Sequence, residues 1–308
     1  MGTLDGKVAI VTGAARGVGR GEAMLLAAEG AHVVVNDLGS GKHGEGAASG
    51  PAQEVVDEIV AAGGVAVANG DDIADWEGGR RLIQQAIDVF GGLDILVCNA
   101  GILRDRMIFS LSEDDWDSVI RVHLKGHFVP MRHACAYWRN RSKERGGPVG
   151  GRLILTASTS GLYGNPGQSN YGAAKSAIAG MSIIVAREMS RYGVTCNAIC
   201  PRARTRMTEE IFPEPDDGSF DLYHPDNVAP WVAYLATDDA AHISGQTFLL
   251  WGGTVELLQP WVAVSEIKKD GQWTVEELTK ASIDLFAGRS TDPPPIPKVQ
   301  LRIERPRK

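Results

Sequence analysis

The sequence predicts an α/β protein with a doubly wound sheet of seven parallel strands and a C-terminal extension. Short apolar runs alternate with helical stretches along most of the 308 residues, and such alternation is typical of strand–helix–strand units. The first run, Lys7 to Thr12, is β-rich and apolar, as expected for a strand that helices cover on both faces. The seven strands are predicted in KVAIVT, HVVVND, VAVAN, LDILVC, GRLILT, VTCNAICP and GQTFLLW.

The first predicted strand leads into a glycine-rich loop with the pattern T-G-x-x-x-G-x-G, and a helix begins there. Glycines let the backbone approach a diphosphate closely, and the N–H groups and positive dipole end of a helix N-terminus attract it. The loop is specific because a strand precedes it and a helix and second strand follow. It predicts a Rossmann-type dinucleotide site with contacts from Gly13, Arg16, Gly17, Val18 and Gly19.

Asp37 ends the second predicted strand. Its carboxylate is placed for the adenosine ribose hydroxyls and would repel a 2′-phosphate, so it favours NAD over NADP. Arg16 favours the opposite choice, because a cation there could meet that phosphate. We expect NAD. The simpler alternative for Asp37 is an acid in a turn at the end of a strand.

An acidic turn follows the third predicted strand, and in it Asp72 and Ile73 are placed to meet the adenine ring. The alternative is that Asp71, Asp72 and Asp75 are helix N-cap residues. Residues 39–51, which connect the second predicted strand to the helix that follows it, are rich in Gly and Ser. This connection is longer than is usual between a strand and a helix.

Asn99, Ala100 and Gly101 follow the fourth predicted strand. The carboxyl ends of the strands are where open α/β sheets bind ligands, so we expect these residues beside the cofactor. A long helix is predicted next, from about residue 116 to residue 138, and it carries His123. A histidine in the hydrophobic core is the alternative to a functional His123.

The central chemical signal combines Ser158, at the end of the fifth predicted strand, with Tyr171 and Lys175 on the following helix. Positions i and i+4 share a helix face, so the Tyr and Lys side chains point to one place. A free Tyr has a pKa of about 10, and a nearby ammonium would lower it toward neutral pH. Ser158 would hydrogen-bond the reacting oxygen. A chance Y-x-x-x-K is the alternative, but the Ser and the nucleotide loop together favour an acid–base site.

Two segments after the sixth predicted strand lack the regular alternation of strands and helices. Residues 202–227 are polar, bear prolines and aromatics, and suit a substrate lid at a strand's carboxyl end. From residue 254 the pattern changes to one helix, in TVEELTKASIDLF, and a Pro-rich basic tail. We therefore divide the chain into a dinucleotide-binding domain, 1–253, and an extension, 254–308.

Composition and charge indicate which partners and which cellular compartment to expect. The formal net charge of −7 gives no indication of a basic surface that would bind nucleic acid. The sequence contains no run of 18 apolar residues, so it does not predict a membrane-spanning helix. The first residues enter a strand directly and lack the layout of a secretory signal. The four cysteines show no metal spacing and are expected to be reduced. We expect a cytoplasmic protein with no metal, no nucleic-acid partner and no membrane contact.

The loop, the N-A-G segment and the Ser/Tyr/Lys set, in this order, resemble the short-chain dehydrogenase/reductase family over about residues 4–253. The resemblance implies that Tyr171 is the acid/base, that Lys175 binds the nicotinamide ribose, and that Ser158 orients the substrate. The family commonly has Asn at the position of His123, where it supports a water-linked proton relay.

The resemblance also implies cofactor contacts by Asn99, Pro201 and Ala203. In the family a Gly follows the Pro, whereas this chain has Arg202, and the run to Thr205 is one residue shorter than usual. By resemblance the two long helices form a dimer interface, so we expect a homodimer or homotetramer.

A narrower resemblance is carried by VVVNDLG, NAGILRDRM, VHLKGHF and SGLYGNPGQSNYGAAK. They are similar to the (3R)-hydroxyacyl-CoA dehydrogenase part of peroxisomal multifunctional enzyme type 2 and to related bacterial sterol and acyl-CoA dehydrogenases. The resemblance implies NAD-dependent oxidation of a 3-hydroxyacyl-CoA. Its rivals are a dehydrogenase of free steroid alcohols and a catalytically silent NAD-binding protein. Four arginines could meet CoA phosphates, namely Arg104, Arg106, Arg204 and Arg206.

Overall fold

The computed structural model of the chain describes residues 2–41, 43–46, 50–209, 212, 214–215 and 218–293. Contacts divide the chain into two compact units, of which the first ends at Leu258 and the second begins at Gln259. The strands of the first unit are β1 (Val8–Thr12), β2 (His32–Asn36), β3 (Val65–Asn69), β4 (Ile95–Cys98), β5 (Arg152–Thr156), β6 (Thr195–Pro201), β7 (Thr247–Trp251) and β8 (Thr254–Leu258).

Helices separate the strands from β1 to β7. The helices of the first unit are α1 (Gly17–Ala28), α2 (Gly50–Ala61), α3 (Trp76–Phe90), α4 (Glu113–Ile120), α5 (Gly126–Arg145), α6 (Thr159–Tyr163), α7 (Ser169–Met189) and α8 (Ala229–Ala236). The long helix predicted over residues 116–138 is in fact α4 and α5, with the π-helical turn Arg121–Lys125 between them. An extra residue in a turn of this kind redirects the side chains around it, and His123 lies in this turn.

The strands form one sheet in the order β3-β2-β1-β4-β5-β6-β7-β8. All pairs from β3 to β7 are parallel, which confirms the predicted doubly wound α/β class. One hydrophobic core lies under α1, α2 and α8, and a second lies under α3, α5 and α7. The carboxyl ends of β1, β4, β5 and β6 therefore meet at one edge of the sheet, between the two helical layers.

The sheet has one strand more than we predicted. Residues 254–258, which we assigned to the extension, form β8 and pair antiparallel with β7 from Trp251↔Thr254 onward. Gly252 and Gly253 make the two-residue turn, and Gly252 has φ 51°. Two-residue hairpin turns need such a conformation, which Gly adopts without strain, so W-G-G-T was a hairpin signal.

The second unit contains the helix α9 (Val275–Leu285) within its described part. Thr274 caps it, because its hydroxyl accepts from Glu277 N at 3.2 Å while Glu277 accepts from Thr274 N at 2.8 Å. The helix predicted in TVEELTKASIDLF is thus present, whereas the tail from residue 294 lies outside the described residues. Among the described helices, none is both long and apolar enough to cross a bilayer.

Candidate active site

A cavity opens in the first unit at the strand ends described above. It brings together most of the residues predicted to bind a dinucleotide or to act on a substrate. The predicted residues that line it are Gly13, Arg16, Gly17, Val18, Asp37, Asp72, Ile73, Asn99, Ala100, Gly101, His123, Tyr171, Lys175, Pro201 and Ala203.

The β1–α1 loop has no room for side chains at its glycines. Gly13 and Gly17 have φ of 64° and 54°, and a Cβ at Gly13 would lie 2.6 Å from Ala100 Cα. A Cβ at Gly19 would lie 2.4 Å from Asn99 Nδ2, so Gly19 allows α1 to pack closely on β4. No side chain caps the first turn of α1, which leaves its N–H groups available to an anion at the cavity.

Asn99 ties the end of β4 to the end of β1. Its side-chain amide donates to Thr12 O at 3.2 Å and Gly13 O at 3.1 Å. Its backbone N donates to Thr12 Oγ1 at 3.0 Å. Asn99 therefore holds the start of the glycine-rich loop in place through hydrogen bonds to Thr12 and Gly13.

The Asp37 carboxylate is fixed at the rim of the cavity. One oxygen accepts from Ala15 N at 3.0 Å and the other from Gly39 N at 2.7 Å. Arg16 lies exposed on the same rim, and its side chain does not cap α1. Asp37, which favours NAD, and Arg16, which favours NADP, therefore both line the cavity.

Two acidic residues in the turn after β3 have different structural roles. Asp75 is the N-cap of α3 and accepts from Gly78 N at 2.7 Å. Asp72 instead lines the cavity and pairs with Arg121 at 2.5 Å. The N-cap alternative is therefore right for Asp75 and wrong for Asp72.

Tyr171 and Lys175 lie on the first turns of α7, and both line the cavity. Lys175 is buried, and its Nζ lies 5.6 Å from the centre of the Tyr171 ring. Nζ donates to the backbone oxygen of Thr156, the last residue of β5, at 2.5 Å. The predicted i, i+4 pair thus meets the end of the central strand.

Burial is the largest influence on the pKa values of both groups. It raises the pKa of Tyr171 to about 12, although a hydrogen bond with the Ser158 side chain acts to lower it. It lowers the pKa of Lys175 to about 7. The predicted lowering of the Tyr171 pKa is therefore wrong for the chain by itself, because desolvation outweighs the neighbouring polar groups.

Ser158 and His123 approach Tyr171 from different elements. Ser158 is the N-cap of α6, and its Oγ accepts from Ser160 N at 3.2 Å. The His123 ring stands edge-on to the Tyr171 ring at 5.0 Å between centres. Burial and the nearby Lys175 cation hold the pKa of His123 well below its usual range, so this imidazole is neutral.

Comparison with known proteins identifies the family. A sequence model described as short chain dehydrogenase matches residues 7–216. This chain belongs to the short-chain dehydrogenase family. It is therefore an oxidoreductase.

Two relatives and one solved structure illustrate the similarity. Hydroxyacyl-CoA dehydrogenase ChsB1 of Mycobacterium tuberculosis is 46% identical over 94% of this chain and 91% of its own length. Peroxisomal multifunctional enzyme type 2 of Drosophila melanogaster is 44% identical over 88% of this chain, which spans 44% of that longer protein. The crystal structure of a short chain dehydrogenase from Mycobacterium avium is 48% identical, with a TM-score of 0.85 over 96% of this chain and 99% of that one.

Short-chain dehydrogenases use NAD or NADP, and the cavity fits such a cofactor. The uncapped first turn of α1 and the positive-φ glycines suit a diphosphate. Asp37, Asp72 and Ile73 line this cavity, and Tyr171 and Lys175 line it as well.

The sequence prediction missed the loop that covers part of this short-chain dehydrogenase cavity. Leu38, Ser40, Gly41 and Gly44, from the β2–α2 connection, line the cavity. His43 fastens the loop, because its Nδ1 lies 2.8 Å from Leu103 O. The unusual length and Gly content of residues 39–51 were the available signal.

Gly101→Ala tests how the short-chain dehydrogenase cavity holds His123. An added Cβ would lie 2.3 Å from His123 Cε1, so the ring must move and its contacts with Ile102 N and O, at 3.1 and 2.8 Å, must weaken. We expect the free energy of unfolding to fall by about 1–3 kcal/mol, as measured by urea denaturation. The control is Gly180→Ala in α7, which has open space at Cβ; equal stability of the two variants would contradict the packing argument.

Proposed function

We propose that this enzyme oxidises the secondary alcohol of a 3-hydroxyacyl-CoA to a ketone and uses NAD. The observation that carries the proposal is the pair of half-buried Tyr171 and buried Lys175 in the cavity that the dinucleotide loop also lines. The acyl-CoA part is supported by the relatives, since the curated protein with 46% identity is named a hydroxyacyl-CoA dehydrogenase.

Oxidation requires Tyr171 as a phenolate that takes the proton of the substrate hydroxyl. The cofactor, when bound, supplies a hydride acceptor with a positively charged ring. An ammonium at the 5.6 Å separation of Lys175 Nζ from the Tyr171 ring centre stabilises a phenolate by about 3 kcal/mol at an effective dielectric near 20. Ser158, which hydrogen-bonds Tyr171, would hold the reacting oxygen of the substrate.

The four candidate arginines for CoA phosphates differ in their partners. Arg104 pairs with Asp114, Arg106 with Asp115, and Arg204 with Asp221. Arg206 is exposed and lines the cavity, and no ion pair to a described residue engages it. We therefore assign the phosphate contact to Arg206 and treat the other three as structural ion pairs.

Asp37→Asn tests the preference for NAD over NADP. The amide keeps the shape of the side chain but removes the charge that would repel a 2′-phosphate. We expect the affinity for NADPH to rise about thirtyfold, since one charge at about 7 Å and a dielectric near 20 is worth about 2 kcal/mol, while NADH binding weakens. Quenching of intrinsic Trp fluorescence by each reduced cofactor gives both dissociation constants. An unchanged ratio of the two constants would remove Asp37 from cofactor selection.

We further propose a homo-oligomer, a dimer or a tetramer, in the cytoplasm. Trp116, Phe128 and Ile184, on α4, α5 and α7, are large apolar side chains that remain exposed, as expected of a surface that a second copy covers. The four cysteines are free, which suits a reducing compartment.

A substrate panel separates the proposed function from its rivals. Formation of reduced nicotinamide is followed with a short (3R)-hydroxyacyl-CoA, a hydroxyacyl-CoA with a sterol side chain, and a free 17-hydroxysteroid. Turnover confined to the thioesters supports the acyl-CoA assignment. Turnover of the free steroid alone would make the enzyme a hydroxysteroid dehydrogenase, and cofactor binding without any turnover would make it an NAD-binding protein.

A further inference from the structure

The loop that joins α6 to α7 ends at Gln168, which is half-buried and stands at the N-cap position of α7. Its backbone oxygen accepts from Gly172 N at 2.7 Å, so the residue is fixed to the first turn of the helix that carries Tyr171. Residues 164–166 of the loop are exposed and have little packing to hold them. The contacts of the Gln168 side chain therefore decide how firmly the loop is held.

The Gln168 amide joins three segments of the chain. Its Oε1 accepts from Ser160 Oγ at 2.7 Å and from Asn165 Nδ2 at 3.0 Å. Its Nε2 donates to Asp105 Oδ2 at 2.7 Å. A carboxylate only accepts hydrogen bonds, so the amide nitrogen must face Asp105 and the amide oxygen must face Ser160. Gln168 thus ties α6, the loop and the segment after β4 together.

A further hydrogen bond extends this arrangement to Ser158. The backbone N–H of Ser160 donates to Ser158 Oγ at 3.2 Å. This bond fixes the Ser158 oxygen, while the hydroxyl can still donate its own proton, as the proposed contact with a substrate oxygen requires. Because Gln168 holds the side chain of Ser160, and the backbone of Ser160 holds Ser158, a change at Gln168 should reach Ser158.

The placement of Ser158 relative to Tyr171 matters because both hydroxyls would contact the same substrate oxygen, and a misplacement of about 1 Å can cost about a hundredfold in rate. Gln168 is not one of the described residues that line the cavity, so its influence acts through its neighbours. We propose that Gln168 is a positioning residue for alcohol oxidation, whose amide holds Ser158, through Ser160, in a fixed place relative to Tyr171. The inference rests on the proposed roles of Ser158 and Tyr171, but not on the CoA part of the substrate.

The direct test exchanges the donor and the acceptor of the bond between Gln168 and Asp105. Gln168→Glu alone places a second carboxylate against that of Asp105, so the bond is lost and Ser160 is held less firmly. We expect kcat for the alcohol that the wild type oxidises to fall by about ten- to a hundredfold. KM should change by less than about threefold, since Ser158 acts mainly in the transition state.

Asp105→Asn, added to Gln168→Glu, supplies an amide donor to the new carboxylate and restores the bond in the opposite direction. We expect the double variant to recover kcat to within about threefold of the wild type, and a failure to recover would overturn the proposal. Asp105→Asn alone should behave as the wild type, because its amide oxygen can accept from Gln168. If Gln168→Glu does not fold, Gln168→Ala takes its place, with the same loss of kcat and no rescue by Asp105→Asn.

The matched control is Gln84→Glu. Gln84 lies on α3, and its Nε2 donates to Asp88 Oδ1 at 2.8 Å, so this variant also sets one carboxylate against another, at residues that do not line the cavity. We expect its kcat to equal that of the wild type. The dissociation constant of NADH should be unchanged in all of these variants. An unchanged kcat in Gln168→Glu, or an equal loss in Gln84→Glu, would overturn the proposal.

Hydrogen exchange at the Ser160 amide gives a readout that needs no substrate. This N–H donates to Ser158 Oγ, and serine labelled with 15N makes it visible by NMR, with Ser160→Ala assigning the signal. We expect exchange to be about tenfold faster in Gln168→Glu and as slow as in the wild type in the double variant. Unchanged exchange in Gln168→Glu would overturn the positioning role. Absence of turnover by the wild type, together with the expected exchange, would instead reject the proposed function alone.

Discussion

Tyr171→Phe is expected to lower kcat for alcohol oxidation by about a thousandfold or more, because the variant cannot take the hydroxyl proton. Tyr171 is half-buried, and desolvation raises its pKa to about 12 in the chain by itself. Removal of the hydroxyl group keeps the aromatic ring, whose centre lies 5.0 Å from that of His123, so this ring contact is retained. The dissociation constant of NADH should therefore change by less than about twofold. Stopped-flow single turnovers and equilibrium fluorescence measure the two quantities.

The control for this prediction is Tyr137→Phe. Tyr137 lies on α5 outside the cavity, and its hydroxyl accepts from Arg141 at 2.6 Å. This variant should keep full activity. If Tyr171→Phe retained more than about a tenth of the rate, another group would have to be the base; if it lost NADH binding as well, the assigned role would also be wrong.

Glu22→Gln should stabilise the protein strongly, but only toward alkaline pH. Glu22 lies on α1, is fully buried, and neither carboxylate oxygen has a hydrogen-bond partner among the described residues. Burial raises its pKa from 4.5 to about 8. The folded state therefore holds a proton that the unfolded chain releases, and stability from this group is full below pH 4.5 and is lost as the pH rises toward 8.

The measurement is urea unfolding of wild type and Glu22→Gln at about pH 5 and about pH 8. The gain in unfolding free energy of the variant should be larger at the higher pH by about 4 kcal/mol, since one pKa unit corresponds to about 1.4 kcal/mol. Glu54→Gln, at an exposed carboxyl of α2, should show no such difference between the two pH values. A pH-independent gain for Glu22→Gln would mean that Glu22 is ionised, and so partnered, in the folded protein.

The strands and the cofactor loop could be predicted because their signals are local. Apolar runs bounded by glycines marked the seven parallel strands, and residues at the carboxyl ends of parallel strands must meet at one edge. This placed Asn99, Tyr171 and Lys175 in one cavity without coordinates. The eighth strand was missed, although Gly252-Gly253 between two β-rich runs is a hairpin signal.

The electrostatics could not be predicted, because they depend on burial by distant parts of the chain. The spacing in the sequence predicted that Lys175 lies near Tyr171. It could not predict the desolvation, which raises the Tyr171 pKa where a lower value was expected. Likewise, the contact of His43 with Leu103 joins residues 60 positions apart. Glu22 is a different case, since Val18, Glu22 and Leu26 share a helix face and the buried carboxylate was visible in that periodicity.

The most direct test of the central claim is one kinetic comparison. Wild-type enzyme is mixed with NAD and a (3R)-hydroxyacyl-CoA, and the appearance of reduced nicotinamide is compared with that for the same hydroxyacyl group as a free acid. We predict steady turnover of the thioester, loss of at least about tenfold in kcat/KM with the free acid, and no turnover by Tyr171→Phe. Equal rates with thioester and free acid would contradict the acyl-CoA assignment, and absence of any reduction of NAD would contradict the proposed oxidation itself.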